Sequence, residues 1–302
     1  MRILIADQIH HEGISYLKSA GFDVEEKLDL RNDELMNEIP IYDALIVRSK
    51  TKVTKEIIQA GTNLLVIGRA GVGLDNVDVV SAKERNIKVL NTPDVSTTSV
   101  AELVMGFMIS AMRHIPQATA SIKSGEWKKE RFAGKELAGK TRGIVGIGRI
   151  GNAVAKRAAS FDMEVIGFDP YVNNSERIQS VNFDTLLSKS DVVSFHVPLT
   201  ESTYHMLSLK EIRKMKKGVV IINASRGGII DEEGLKQGLD VGIVGAVALD
   251  TFELEKPFST VLAGYENFIA TPHVGAQTEE AQRRAGIEIA KVIAIYLRDN
   301  KS

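Results

Sequence analysis

Residues Gly143–Gly151 read GIVGIGRIG. Gly146, Gly148 and Gly151 give the spacing G-x-G-x-x-G, with the apolar run RGIVGI (142–147) leading in and the helical pattern IGNAVAKRAASF (150–161) leading out. In that setting Gly146 permits a tight turn. Gly148 lets the backbone approach a pyrophosphate, and Gly151 lets helix and strand pack closely. The phosphates face the start of the helix, where unbonded N–H groups and the helix dipole attract anions. The next apolar run, MEVIGF (163–168), ends at Asp169, 18 residues past Gly151. A carboxylate there accepts both ribose hydroxyls of NAD and repels the 2′-phosphate of NADP. This order predicts a Rossmann unit that binds NAD, yet it begins about 140 residues into the chain.

Those preceding residues carry their own α/β pattern. RILIA (2–6), DALIVRS (43–49), NLLVIG (63–68) and IKVLNT (87–92) read as strands, with helices near 11–20, 33–39, 54–60 and 76–85. After the glycine turn, strands are predicted at 142–147, 163–168, 191–197, 218–223, 244–249 and 267–271. Apolar runs this continuous belong to parallel sheets covered on both faces. The fold class is therefore α/β, with two doubly wound parallel-sheet domains. Between them, Ser96–Ser99 offer N-cap oxygens to the apolar helix VAELVMGFMISAM (100–112). A helix apolar on most faces is expected between domains or subunits. KSGEWKKERFAGKELAGK (123–140) should run over the surface, and TEEAQRRAGIEIAKVIAIYLRDN (278–300) reads as a long amphipathic helix capped by Thr278.

Composition narrows the function classes. Of 302 residues, 44% are hydrophobic and 25% charged, and the formal net charge is −1. No basic stripe offers itself to nucleic acid or to an anionic membrane. The chain has no cysteine. Disulfides, thiolate catalysis and cysteine-ligated metal are excluded, and no metal site is expected. The apolar segment 100–112 contains Glu102 and is too short to span a bilayer. The opening MRILIADQIHHEG lacks the pattern of a signal peptide, and the expected location is cytoplasmic.

Three polar sites follow predicted strands. Arg226 lies in VIINASRGGIID, Asp250 and Glu255 in VALDTFELEKP, and His273 in FIATPHVGAQT. Ligands of open α/β sheets bind at the carboxyl ends of strands, so Arg226, Glu255 and His273 can converge beside a cofactor. Oxidation of a 2-hydroxy acid asks for this set. A guanidinium holds the carboxylate. An imidazole takes the hydroxyl proton as hydride leaves. A carboxylate beside the imidazole stabilises its charged form. Taken singly, Arg226 could instead bond loop carbonyls, His273 could cap the last helix, and Glu255 could be a solvated loop acid. His10, His11, His114 and His205 have no supporting context and read as structural.

VRSKTKVT (47–54), IGRAGVGLDNVD (67–78), VLNTPDVSTTSVAEL (89–103), IPQATASIKSGEW (115–127), GKTRGIVGIGRIG (139–151), GFDPY (167–171), INASRGGIIDEEGL (222–235) and TPHVGAQTEEAQ (271–282) together resemble the D-isomer-specific 2-hydroxyacid dehydrogenases. The likeness covers nearly the whole chain and is strongest to members that oxidise D-3-phosphoglycerate, a phosphorylated 2-hydroxy acid, at the entry to serine biosynthesis. It implies a flavodoxin-like substrate domain, residues 1–95 and 273–302, and a Rossmann NAD domain, residues 96–272. The resemblance also implies a site in the cleft between them, closing on substrate. Arg226 resembles the carboxylate-binding arginine, His273 the proton acceptor and Glu255 its acidic partner. The family glutamate usually stands directly before proline. Here Lys256 intervenes before Pro257, and counting from Asp250 favours Glu255 over Glu253.

On the cofactor side the resemblance assigns Val72, Gly146, Gly148, Arg149, Ile150, Gly151, Asp169, Val197, Ala224, Ser225, Arg226, Asp250, His273, Gly275 and Ala276, with Asp250 facing the nicotinamide carboxamide. It gives the substrate Arg48 near its phosphate and the Gly71-Val72-Gly73 loop near its carboxylate. Lys50 could assist but reads as a solvated loop charge. It implies a homodimer through the NAD domain, with Lys128, Lys129 and Arg131 reaching toward a partner's site. Many members carry a C-terminal serine-binding regulatory domain; as this chain stops at Ser302, straight after the returning helix, a short form without it is expected. A reductase of glyoxylate or hydroxypyruvate shares the same triad. An NAD-sensing corepressor would need long tails that are absent here.

Overall fold

The computed structural model describes residues 1–172, 175–255 and 257–300. Lys256, between Glu255 and Pro257, lies outside them. The chain divides into two compact units, Met1–Ser96 with Ala276–Ser302, and Thr97–Gly275.

The first unit opens with β1 (Arg2–Ile5), α1 (His11–Ser19), β2 (Asp23–Glu26), α2 (Asn32–Glu38), β3 (Ala44–Val47), α3 (Lys55–Ala60), β4 (Val66–Arg69), α4 (Val79–Glu84) and β5 (Lys88–Asn91). The strands form one parallel sheet in the order β2-β1-β3-β4-β5, the flavodoxin-like order. Alternate residues bury to opposite faces because strand side chains alternate. Ile3, Ile5, Ala44, Ile46 and Val66 share one cluster, whereas Leu4, Leu45, Val47 and Ile67 share another with α2 and α3. β2 is a finding the apolar pattern did not predict. Its sequence is DVEE, and it is an edge strand paired on one side only, so it needs no continuous apolar run.

The second unit contains α5 (Thr97–Arg113), α6 (Ile115–Lys123), β6 (Thr141–Val145), α7 (Arg149–Ala159), β7 (Glu164–Phe168), β8 (Gln179–Ser180), α8 (Phe183–Lys189), β9 (Val192–Phe195), α9 (Leu209–Ile212), β10 (Val219–Asn223), α10 (Glu232–Asp240), β11 (Val244–Leu249), β12 (Leu254–Glu255), β13 (Phe258–Ser259) and β14 (Phe268–Ala270). Seven strands pair in parallel as β14-β11-β10-β9-β6-β7-β8, and β12 and β13 form a separate antiparallel hairpin. Strand order reverses at β6, between β9 and β7, the switch point where ligands bind such sheets. α5 buries Val104, Met108 and Ala111 with Ile144, Val192 and Ile222 of this sheet. Much of its apolar surface is therefore covered within its own unit. The stretch 123–140 is largely exposed, as its polarity implied.

The chain returns to the first unit as α11 (Glu279–Asp299), capped by Thr278 accepting from the Ala281 N–H. Ile289, Ala290, Ile293, Ala294 and Leu297 are all fully buried and join the Ile3 cluster. At ~25 cal/mol per Å² of apolar surface, Ile289, Ile293 and Leu297 each contribute roughly 1.5–3 kcal/mol and the two alanines less. Among the described residues no helix is long and apolar enough to cross a membrane.

Candidate active site

The glycine turn lies where β6 meets α7. Gly146 has φ +94°, and a Cβ there would stand 2.7 Å from the His196 carbonyl oxygen. A Cβ on Gly151 would lie 2.1 Å from the Gly146 carbonyl oxygen, so strand and helix approach too closely for any side chain. Gly148 is the N-cap of α7 and contributes no side-chain cap, whereas Asn182 caps α8 and Asp231 caps α10 through side-chain oxygens. A Cβ on Gly148 would meet no protein atom within 4 Å. The space in front of this helix is therefore open and bordered by backbone, which suits a pyrophosphate. Arg149 and Ile150 form the first turn of α7.

Asp169 follows β7. Its Oδ2 accepts from the Ile147 N–H at 2.9 Å, and its Oδ1 from Tyr171 at 2.9 Å and Val172 at 3.2 Å. The acid thus ties the glycine turn to the neighbouring strand end. A carboxylate has about four acceptor positions, so capacity remains for a ribose hydroxyl. Glycine turn, open helix start and acid together fit NAD.

Arg226, Asp250 and His273 follow the neighbouring parallel strands β10, β11 and β14, so they share the carboxyl edge of the sheet. Asn223 ends β10. Its Oδ1 accepts from the Ser225 N–H and hydroxyl, and its amide donates to the Arg226 carbonyl at 2.8 Å. This bracket fixes Ala224, Ser225 and Arg226. Arg226 Nη1 also donates to the Ser225 carbonyl at 2.7 Å. Val197, just after β9, is half-buried beside the core.

Asp250 is 1% exposed, and the structure gives it an additional task. Its Oδ1 accepts from the Thr271 hydroxyl at 2.5 Å and the Val274 N–H at 2.7 Å, and its Oδ2 from the Gly275 N–H at 2.8 Å. Its carbonyl accepts from the His273 N–H at 2.9 Å. Asp250 therefore builds the turn that presents His273, which has φ +55°. A left-handed non-glycine residue is strained and persists only where its surroundings hold it. Glu255, at the end of β12, meets His273 Nδ1 at 3.0 Å through Oε1 and 3.3 Å through Oε2. A carboxylate only accepts, so Nδ1 carries hydrogen and Nε2 of the neutral ring holds the free lone pair. The pair is partly exposed, 49% for His273 and 38% for Glu255, so a ligand can reach the imidazole.

The remaining assigned residues belong to the first unit. Asp7, 5% exposed, gathers the loop after β3. It accepts from the N–H groups of Arg48 at 2.7 Å, Lys50 at 3.2 Å and Thr51 at 3.1 Å, and from the Thr51 hydroxyl at 2.6 Å. From the other side, the Asn76 amide donates to the carbonyls of Arg48 and Thr51 at 2.9 and 2.7 Å. Arg48 Nη2 donates to Gln277 at 3.0 Å. Burial holds the Arg48 guanidinium below its ordinary range, with Asp7 opposing that shift. Lys50 pairs with Asp29 on the surface. In the Gly71-Val72-Gly73 loop, the Gly71 carbonyl accepts from Thr92 and the Val72 carbonyl from the Asn91 amide. Val72 and Ala276 are exposed. Of the basic cluster, Lys128 pairs with Glu126 at 2.6 Å, and Arg131 Nη2 donates to both carboxylate oxygens of Glu266.

Asp7, Asn76 and Glu232 were not singled out from sequence, and Glu253 was considered only as the alternative to Glu255. Asn76 lies inside a quoted motif, but nothing in its neighbours announces an amide bridging two loop carbonyls. The partners of Asp7 lie 41–44 residues away.

Known proteins resemble the chain in sequence and in fold. Residues 105–275 match the D-isomer specific 2-hydroxyacid dehydrogenase, NAD binding domain. A hydroxypyruvate reductase of Thermotoga maritima is 53% identical over 268 residues, covering 87% of this chain and 88% of that protein. A D-3-phosphoglycerate dehydrogenase of Methanocaldococcus jannaschii is 47% identical over 305 residues, 99% of this chain but 58% of that protein. The chain thus spans little more than half the length of that relative. The D-lactate dehydrogenase of Aquifex aeolicus, solved with NAD and lactic acid, superposes with a TM-score of 0.87 at 26% identity, covering 99% of this chain and 96% of that one. By its sequence and its fold, the chain belongs to the NAD-binding D-isomer specific 2-hydroxyacid dehydrogenases.

Proposed function

We propose that the chain oxidises D-3-phosphoglycerate to 3-phosphohydroxypyruvate, the first step of phosphorylated serine biosynthesis. Bound NAD supplies the hydride acceptor. Arg226 binds the substrate carboxylate through a two-pronged guanidinium and polarises the C2 oxygen. As the C2–H bond breaks, the hydroxyl proton passes to Nε2 of His273. Glu255 at 3.0 Å stabilises the imidazolium that forms. In reduction the same nitrogen returns the proton. The N–H groups of the Gly71-Val72-Gly73 loop assist with the carboxylate, and Asp169 selects NAD over NADP.

The observation that carries the choice of substrate is Arg48. It stands on a loop fixed from both sides by Asp7 and Asn76, which supports a preset cation for a phosphate. The 53% identical hydroxypyruvate reductase favours a second reading, reduction of hydroxypyruvate, with the same triad. Initial rates with NADH on 3-phosphohydroxypyruvate, hydroxypyruvate, glyoxylate and pyruvate decide between them. On our reading the phosphorylated acid has the highest kcat/KM, and Arg48→Ala lowers it by about tenfold or more while sparing hydroxypyruvate. An equal loss on both substrates favours the second reading.

The working form we propose is a cytoplasmic homodimer through the NAD-binding unit. Exposed apolar side chains at Ile115, Ile122 and Trp127, the last 85% exposed, supply surface for that contact.

A further inference from the structure

The hairpin β12–β13 carries Glu255 and consists of two residue pairs, Leu254 with Ser259 and Glu255 with Phe258. A hairpin this short has no stability of its own in water. A buried acid outside the assigned site binds both of its ends. Glu232, the first residue of α10, is 8% exposed. One carboxylate oxygen, Oε1, accepts from the Glu253 N–H at 2.9 Å. The other, Oε2, accepts from the Thr260 hydroxyl at 2.6 Å. Glu253 directly precedes β12 and Thr260 directly follows β13. A single side chain therefore clasps both ends of the hairpin with a different oxygen on each.

The clasp is reciprocated. Glu253 Oε1 lies 3.3 Å from the Glu232 N–H and 3.0 Å from His205 Nε2, and the His205 N–H donates to the Gly228 carbonyl at 2.8 Å. Beside it, a Cβ on Gly227 would stand 1.8 Å from the Phe252 carbonyl oxygen, so the loop carrying Arg226 and the lead-in to the hairpin touch backbone to backbone. Phe252 is buried and meets Phe258 edge-on at 5.0 Å. Only a side chain with two acceptor oxygens and this reach satisfies both ends at once.

We propose that Glu232 is a positioning residue of this enzyme, holding the Glu255 hairpin so that the carboxylate of Glu255 stays against His273. This rests on the catalytic roles proposed above for Glu255 and His273. It differs from a merely structural role in one measurable way. If Glu232 acts through Glu255, its removal has nothing left to disturb once Glu255 has been neutralised.

The test is a double-mutant cycle read in kcat, with NADH binding and thermal melting measured on each protein. Glu232→Ala should lower kcat about tenfold, the order of a weakened acid–base partner, with the Kd for NADH within about twofold of the parent. In the Glu255→Gln background the same substitution should change kcat by less than about twofold. Thr260→Val, which removes only the Oε2 bond, should lower kcat about threefold in the parent and not at all with Glu255→Gln, and it serves should Glu232→Ala not fold. Losses that multiply independently of Glu255, or a fall in melting temperature without a fall in kcat, overturn the proposal. If Glu255→Gln itself turns over like the parent, the role of Glu255 fails first, and the positioning role falls with it.

Discussion

Arg142 offers a prediction whose size follows from its surroundings. It stands on β6, four residues before Gly146, and is fully buried in the seven-stranded sheet. None of its three guanidinium nitrogens has a hydrogen-bond partner among the described residues. Burial pushes it down to about 9. The same burial, with the charge of Arg142 second, pushes His196 down to about 3, so that ring is neutral and offers no anion. Displacing an arginine this far from its ordinary value above 12 corresponds to about 4–5 kcal/mol. Replacing a buried unsatisfied ion with an apolar residue of similar length commonly returns about 1–4 kcal/mol. Arg142→Met should therefore stabilise the NAD-binding unit by about 2 kcal/mol and raise its melting temperature by about 4–8 °C.

The pH dependence has a definite sign. The folded state releases this proton near pH 9, whereas the unfolded chain keeps it to above 12. The unfolded state thus binds more protons between those values, and parental stability gains with rising pH there. The variant lacks that gain, so its advantage should shrink by about 1 kcal/mol between pH 9 and pH 10. Differential scanning calorimetry of both proteins at pH 7.5, 9 and 10 gives the comparison. A variant melting at or below the parent, or an advantage unchanged by pH, refutes the reasoning. Turnover should stay within about twofold, because the side chain faces the core.

Two further outcomes follow from the assigned sites. Asp169→Ala should weaken NAD binding by about tenfold and narrow the preference over NADP, since it removes the proposed ribose acceptor and the bond to the Ile147 N–H. A parent that already prefers NADP in initial-rate measurements contradicts the role of Asp169. Asp7→Asn places an amide against the N–H groups of Arg48, Lys50 and Thr51 and should cost about 2–3 kcal/mol of stability while raising KM for the phosphorylated substrate more than for hydroxypyruvate. Equal KM values for parent and variant on both substrates, measured with NADH in excess, contradict a positioning role for that loop.

The fold class was legible because buried parallel strands leave continuous apolar runs, as at ALIV in β3 and VVIIN in β10. β2 was illegible because an edge strand can be built from DVEE. The burial of Arg142 was not legible either, since it opens the run RGIVGI and pattern alone does not place its side chain. For the site, residue type and strand-end position marked Arg226, Glu255 and His273 as candidates. They did not reveal that Glu255 and His273 lie 3.0 Å apart. Nor did they reveal that Asp250 organises the turn beneath His273. Glu232 was hidden for a plain reason. An acid in the first turn of a helix is ordinary, and only the position of Glu253 and Thr260, 21 and 28 residues on, gives it a task.

The central claim is that His273 exchanges the proton of the 2-hydroxyl group. It is tested most directly by kcat for His273→Ala with 3-phosphohydroxypyruvate and NADH, alongside NADH affinity from fluorescence titration. Loss of the general acid–base should lower kcat by about a hundredfold to ten-thousandfold, with the Kd for NADH within about threefold of the parent. Turnover within a few-fold of the parent, with NADH bound normally, would contradict the account.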